Sequence, residues 1–196
     1  MSPETSEDIK KGDKAEQILA AALSLYTVKG SHATSMDELA QAAGVAAGTV
    51  YRYFASKEVL VNALFHHWNK AYDHALFHDY PWADAPREQF SRYWRRNARF
   101  ARAYPEAYLF LEAHWNDPYL DEDSKALVEE QNRRGEFFFS ECRRLQITKD
   151  VSEELIHAII CGAFTRVIQF WRHGRLELTD EVIKQAEICC WEAIRR

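Results

Sequence analysis

The stretch SMDELAQAAGVAAGTVYRYFASK, Ser35–Lys57, decides the fold of this chain, because two short helical patterns meet in it at a glycine. Apolar residues recur from Met36 at the i, i+3, i+4 and i+7 positions, which is the spacing of a helix with one buried stripe. Ser35 followed by Glu38 predicts a capping box at the start of that helix. Gly44 stands where the helix must end, since glycine readily takes the left-handed conformation of the residue after a helix.

The second helix is predicted over Ala46–Phe54, and it has an unusual polar face. Val50 and Phe54 form its buried side, whereas the other side carries small residues, hydroxyl groups and one cation. No acidic residue occurs between Val45 and Lys57. Such a surface can enter the major groove of DNA and donate hydrogen bonds to phosphates and base edges. The two helices together indicate a helix-turn-helix.

Individual DNA contacts can be predicted from side-chain chemistry. Thr34 and Ser35 can meet a phosphate through a hydroxyl or an amide, and Lys57 can add a charge-assisted contact. Tyr51 and Tyr53 can reach phosphate oxygens with their hydroxyl groups. The rest of the predicted DNA-binding surface consists of Ala46, Ala47, Gly48, Thr49 and Arg52. In this group Ala47, Thr49 and Arg52 are the expected readers of base edges, and Gly48 allows close approach.

Glycines, aromatic residues and a Lys-Glu pair form an ordered set of features from Ala15 to Phe65. They are Ala21-Ala22, Leu25-Tyr26, Gly30, Ala33-Thr34-Ser35, Leu39-Ala40, Ala43-Gly44-Val45, Gly48, Val50-Tyr51, Tyr53-Phe54 and Ser56-Lys57-Glu58. In this order the segment resembles the TetR family of bacterial transcription regulators. Arg52-Tyr53 stands where tyrosine and histidine are frequent in that family, and Ala46-Ala47 replaces a more usual polar pair. The resemblance therefore implies the mode of DNA binding but not the operator sequence.

The whole chain is predicted to be all-α, with about nine helices, because it has few glycines, many charged helix formers and no strand pattern. We expect a flexible arm over residues 1–12, a helix-turn-helix DNA-binding domain over 13–60, and a ligand-binding and dimerisation domain over 61–196. The first helix is expected to begin at Asp13. A helix capped by Ser56 is expected to run on to Pro81, about 35 Å long, and to join the two domains.

The last two predicted helices are apolar over more than one stripe, so the excess must face a deep core or a partner. The family resemblance implies that these helices form a four-helix interface in a homodimer, which would place two recognition helices about one turn of DNA apart. The predicted interface consists of Ile156, Ile160, Ala163, Val167, Trp171, Ile183, Cys190 and Ile194.

Large aromatic residues in the C-terminal domain either pack as core or line a pocket. Each residue alone is better explained as core, but as a group they leave gaps, and a few polar side chains lie among them. The predicted effector pocket consists of Trp94, Asn97, Phe100, Tyr104, Phe110, His114, Trp115, Phe138, Phe164 and Gln169. Glu112 is a further candidate for a polar anchor in it.

Composition limits the alternatives. The chain has a net charge of −5, and residues 1–60 hold six cations against eight acids, so DNA binding must depend on the placement of charge rather than on a broad basic patch. The sequence shows neither an apolar signal-peptide segment nor a membrane span, and its four cysteines lack metal-ligand spacing. We therefore expect a cytoplasmic protein with free thiols.

Other functions fit the sequence less well. His67, His74 and His78 fall on one face of the joining helix, but no third ligand has suitable spacing, so neither a metal nor a cofactor is expected. No phosphate-binding loop or nucleophile motif suggests an enzyme. The nearer alternative is a helical ligand-binding or protein-interaction dimer without operator binding. The favoured interpretation is a homodimeric repressor that binds a palindromic operator and is released by a small apolar or aromatic effector.

Overall fold

The chain forms nine α-helices in the computed structural model, which describes the backbone of residues 6–196 and the side chains of residues 14–196. They are α1 Ser6–Lys29, α2 Met36–Ala42, α3 Ala47–Tyr53, α4 Lys57–Phe77, α5 Pro86–Ala103, α6 Pro105–His114, α7 Glu122–Arg144, α8 Glu153–Arg172 and α9 Asp180–Ile194. Within the described residues the only β pairing is one isolated bridge between Thr148 and Arg195. The prediction of an all-α fold is confirmed.

The first helix begins earlier than the sequence predicted. α1 starts at Ser6 rather than at Asp13, so the second half of the proposed flexible arm is helical. Residues 1–5 of the proposed arm lie outside the described residues.

The N-terminal unit, called the head below, consists of α1 to α3 and the start of α4 packed around one small core. Ile18 and Ala22 of α1, Leu39 of α2, Val50 of α3 and Leu60 of α4 are all fully buried there. Each comes from the single apolar stripe of its helix, so the remaining faces stay available to solvent.

Helix α4 joins the head to the C-terminal body. Ser56 caps it by accepting a hydrogen bond from the amide of Val59, and its 21 residues span about 31 Å at 1.5 Å per residue. The helix does not reach Pro81 as predicted but ends at Phe77. His78 is extended and Asp79 takes a left-handed φ of 49°, which turns the chain out of the helix.

The body consists of α5 to α9 and the second half of α4. Pro86 occupies the first turn of α5, and no side chain caps this helix. The carboxylate of Asp84, just before it, accepts a hydrogen bond of 3.0 Å from Arg92. Trp94 of α5 packs edge-on against Phe164 of α8, with the ring centroids 5.0 Å apart. The centre of the body is therefore aromatic.

Three contacts join head and body in addition to the continuous chain of α4. Tyr26 of α1 stacks on Phe110 of α6 with ring centroids 6.3 Å apart. The loop after α1 also meets the body, since the Ser31 hydroxyl lies 3.3 Å from Nε2 of His114. On α4, the amide oxygen of Asn62 accepts a hydrogen bond of 2.9 Å from the hydroxyl of Ser124 in α7, and both residues are buried.

Candidate nucleic-acid interface and effector cavity

Local hydrogen bonds fix the turn between α2 and α3. The hydroxyl of Ser35 accepts a bond of 3.2 Å from the amide of Glu38, and the Glu38 carboxylate accepts one of 2.8 Å from the amide of Ser35, so the predicted capping box is present. The hydrogen bond from the Ser35 amide, followed by the one from the ammonium of Lys29, lowers the pKa of Glu38 to about 2. At the other end, Gly44 has a φ of 63° and the amide of Val45 bonds to the carbonyl of Ala40, which is a Schellman ending.

Helix α3 presents its polar face outward. Val50 and Phe54 are buried as predicted, whereas Tyr51 is 52% exposed and Arg52 is exposed. The guanidinium of Arg52 lies 5.3 Å from the ring centroid of Tyr53 and has no acidic partner among the described residues. Of the other predicted residues, Ala46 and Gly48 are exposed, and Ala47, Thr49 and Tyr53 are partly buried.

Thr34, predicted to meet a phosphate through its hydroxyl or its amide, uses its hydroxyl within the protein. The residue is 1% exposed, and its hydroxyl donates a hydrogen bond of 2.9 Å to the carbonyl of Gly30. Its part is structural, because it closes the loop between α1 and α2. Ser35 is exposed at the start of α2 and remains available at the surface.

The ammonium of Lys57 is held by the loop before α2. Nζ donates hydrogen bonds of 3.0 Å to the carbonyls of both His32 and Thr34, which ties the start of α4 to that loop. An ammonium has three donors, so one remains for a phosphate. The sequence predicted only the phosphate contact, since a backbone carbonyl brought near by folding leaves no signal in the residue pattern.

A cavity of about 740 Å³ lies between α4, α5, α6, α7 and α8. Its walls are mostly aromatic and aliphatic side chains, among them Tyr72 and Phe77 of α4 and Tyr93 of α5. Three of the predicted pocket residues, Trp115, Phe138 and Gln169, line it, as does the candidate anchor Glu112.

The other predicted pocket residues do not line this cavity. They are Trp94, Asn97, Phe100, Tyr104, Phe110, His114 and Phe164. Most of them belong to the core instead; Trp94, for example, is 1% exposed, and its indole donates to the carbonyl of Ile183 at 3.1 Å. Tyr104 is the exception, because it lies 49% exposed at the end of α5.

Glu112 is the most buried acid that faces the cavity. Its Oε2 accepts a hydrogen bond of 2.7 Å from the hydroxyl of Thr165, which lies 2.9 Å from the hydroxyl of Tyr108. Burial raises the pKa of Glu112, and only the bond from Thr165 opposes that rise. No cationic side chain pairs with this carboxyl in the described part of the chain.

Polar pairs connect the cavity wall on α7 to α4. The amide of Gln131 donates a hydrogen bond of 2.9 Å to Asn69, and both residues face the cavity. Further along, the guanidinium of Arg134 pairs with the carboxylate of Asp73 and packs over the ring of Phe77. The wall of the cavity and the helix that carries the head are therefore bonded to one another.

The structure corrects most of the predicted dimer interface. The residues that it buries within the protomer are Ile156, Ile160, Ile183, Cys190 and Ile194. Ala163, Val167 and Trp171 are only partly buried. The large apolar residues that α8 and α9 leave exposed are instead Leu155 (50%), Ile159 (46%), Phe170 (36%) and Ile188 (39%). The sequence identified the helices but not their outward faces, because both helices are apolar on more than one side.

The described residues contain neither a candidate metal site nor a candidate membrane span. In residues 14–196 there is no group of three or more His, Cys, Asp or Glu side chains that could hold a metal ion, and His74 merely stacks on His78 with ring centroids 4.4 Å apart. No helix in the described part of the chain is long and apolar enough to cross a membrane.

Comparison with known proteins covers nearly the whole chain. Residues 18–64 match a family model described as bacterial regulatory proteins of the tetR family, and residues 65–196 match one described as tetracyclin repressor-like, C-terminal domain. An uncharacterized HTH-type transcriptional regulator of Haemophilus influenzae is 24% identical over 186 residues, which cover 95% of this chain and 98% of that protein.

Solved structures share the fold. A TetR family transcription regulator from Marinobacter aquaeolei gives a TM-score of 0.82 at 23% identity, over 95% of this chain and 97% of that one. The ketosteroid transcriptional regulator KstR2 of Mycobacterium tuberculosis gives 0.76 at 17% identity, over 93% and 95%.

Proposed function

Because the chain belongs to the TetR family of bacterial regulatory proteins and is a DNA-binding transcription regulator, we propose that it acts as a repressor released by a small apolar or aromatic effector. The observation that carries this proposal is the cavity of about 740 Å³, whose wall is hydrogen-bonded to the helix leading to the DNA-binding unit. A cavity of that size and lining suits a drug-sized apolar molecule. Such a protein works by binding rather than catalysis, in the cytoplasm where bacterial DNA lies.

The proposed DNA contact is made by the exposed side of α3 and the starts of α2 and α4. Tyr51 supplies a hydroxyl for a phosphate, and Arg52 can reach either a phosphate or the edge of a guanine. Gly48 lies exposed and has no atom within 4 Å of the position that a Cβ would take, so the backbone can come close to the bases. Because few cations lie on this surface, one head alone should bind DNA weakly.

A homodimer on a palindromic operator supplies the second head. We propose that the partner covers the apolar residues left exposed on α8 and α9, chiefly Leu155, Ile159 and Ile188. The partly buried Ala163 and Val167 can join this interface. A second copy fits because an isologous interface needs one self-complementary apolar patch, and two recognition helices then fall about one DNA turn apart.

Release follows from thermodynamic coupling between the two sites. The dimer can adopt conformations that differ in the spacing of the two heads. An effector changes the equilibrium between them only if it binds one conformation more tightly than the other. The bonds from Gln131 to Asn69 and from Arg134 to Asp73 connect the α7 wall of the cavity directly to α4. By reciprocity, operator DNA must weaken effector binding by the same factor.

The test is operator binding with and without a ligand. Gel shifts use a duplex that covers the region upstream of the gene, with excess nonspecific DNA as competitor, and compounds are screened by the rise that they cause in melting temperature. We expect a specific shift that a stabilising compound abolishes. Stoichiometric compound binding that leaves operator affinity unchanged would contradict the repressor mechanism, and absence of a specific shift would favour a helical dimer without operator binding.

A further inference from the structure

One oxygen of the Glu112 carboxyl in the cavity has no partner from the protein. The pair formed by Thr165 and Tyr108 engages Oε2 of Glu112, whereas Oε1 has no hydrogen-bond partner among the described residues. Glu112 is partly buried, and Oε1 keeps surface that a molecule in the cavity can reach. A carboxylate that loses its water and has no cation nearby is normally paired, so a ligand that fills the cavity must supply a donor to Oε1.

Aromatic residues lie near this carboxyl. Tyr108 is joined to it through the hydroxyl of Thr165. Burial raises the pKa of the Tyr72, Tyr93 and Tyr108 hydroxyl groups, and the charge of Glu112 adds to that rise. Tyr72 and Tyr93 face the cavity themselves. The faces of aromatic rings attract cations, most strongly where water is excluded.

Other charges at the cavity do not favour an anion. The guanidinium of Arg134 is already paired with Asp73 and also bonds to Glu130. Arg166 is exposed and lies over the ring of Phe170. Burial lowers the pKa of His157, which keeps its imidazole neutral near pH 7. The deepest charge that faces the cavity is thus an acid without a partner.

We infer that the effector is an amphiphilic amine, an apolar or aromatic molecule whose protonated nitrogen binds Oε1 of Glu112 between the rings of Tyr72 and Tyr93. This inference rests on the proposed sensor function and specifies the ligand class of its cavity. The apolar remainder of the molecule fills the space between α7 and α8, near Phe138 and Trp115.

Three probes that share a ten-carbon alkyl group and differ in their polar group test the inference. They are decylamine, decan-1-ol and decanoate, each used below its micellar concentration. Titration calorimetry on the full chain gives their affinities for the wild type, for Glu112→Gln and for Glu106→Gln. Glu106 lies on the same helix, α6, but does not line the cavity. We expect the wild type to bind decylamine at least tenfold tighter than either other probe, Glu112→Gln to lose that preference, and Glu106→Gln to keep it.

The inference is overturned if decanoate or decan-1-ol binds as tightly as the amine, if none of the probes binds, or if Glu112→Gln retains the preference. The wild-type comparison decides the first two outcomes without any variant. Gel shifts on the upstream duplex run in parallel. Release of DNA by decanoate, for instance, would reject the amine while leaving the proposed repressor function in place.

Discussion

The side-chain amide of Gln131 in α7 donates a hydrogen bond of 2.9 Å to the amide oxygen of Asn69 in α4, and both residues face the cavity. Asn69 is only 3% exposed, so this bond is shielded from water. A molecule that enters the cavity meets a group that holds the head-bearing helix. If the proposed effector binds here, we expect its occupancy to be linked to the position of α4 through this contact.

Replacing Gln131 by leucine should weaken that link while keeping the side-chain volume. With a compound that raises the melting temperature of the wild type, we expect the ratio of operator Kd values with and without compound to fall about fivefold, equivalent to about 1 kcal/mol. Fluorescence anisotropy of labelled operator gives both Kd values. Gln185→Leu on the exposed side of α9 is the matched control. An unchanged ratio in Gln131→Leu would show that coupling takes another route.

Removing the hydroxyl of Tyr51 should weaken operator binding and leave the fold intact. Tyr51 is 52% exposed and makes no hydrogen bond within the described protein, so Tyr51→Phe should melt like the wild type. Loss of one phosphate contact should cost about 1 kcal/mol, or roughly fivefold in Kd. Tyr104→Phe, which alters a tyrosine that is 49% exposed in the body, should change neither property. If Tyr51→Phe and Tyr104→Phe both bind the operator as tightly as the wild type, the Tyr51 hydroxyl does not contact DNA.

Lys57 should affect stability and DNA binding together. Lys57→Met abolishes two hydrogen bonds from a charged donor to the carbonyls of His32 and Thr34, and each such bond contributes about 1.5–3 kcal/mol at most in this half-buried position. We expect a lower melting temperature. If the third donor binds a phosphate, the slope of log K against log salt should also flatten by about one unit per contact. A lower melting temperature with an unchanged salt slope would make Lys57 purely structural.

Neighbouring isoleucines on α8 should respond oppositely to a charge. Ile159 is 46% exposed and Ile160 is 2% exposed. Ile159→Asp should give a folded monomer in sedimentation, because only the proposed partner desolvates that position. Ile160→Asp should unfold or aggregate, since it places an unpaired carboxylate in the protomer core at a cost of several kcal/mol. A folded dimer of Ile159→Asp would place the interface elsewhere.

Glu112 should make ligand-free stability depend on pH. Burial raises its pKa above the ordinary 4.5, so the folded protein holds the proton at a pH where the unfolded chain has released it. The contribution of Glu112 to stability is therefore complete below pH 4.5 and is lost as the pH rises through the folded pKa. Glu112→Gln lacks this loss and should melt higher than the wild type near pH 8 but not near pH 4, by about 2–4 °C per kcal/mol. If the melting temperatures of the wild type and of Glu112→Gln change with pH in the same way, the argument that burial raises the pKa of Glu112 is contradicted.

Sequence reasoning succeeded where the signal is local. The Ser35 and Glu38 pair and the glycine at 44 determine backbone geometry within a few residues, so the helix-turn-helix followed directly from the residue pattern. It failed where a helix is apolar on several sides. Ile160 and Ile159 are alike in type and differ only in which neighbour folding brings near them. For the same reason Trp94 looked suited to a pocket and proved to be core.

Three contacts between head and body limit how each head can move: the Tyr26–Phe110 stack, the Ser31–His114 pair and the Asn62–Ser124 hydrogen bond. A rigid unit held at one point keeps three rotational degrees of freedom, and each further separated contact removes some of that freedom. While all three contacts persist, each recognition helix keeps nearly one position relative to its own body. Operators with a different spacing between their half-sites would then require the two protomers to shift against one another, or one of these buried contacts to break.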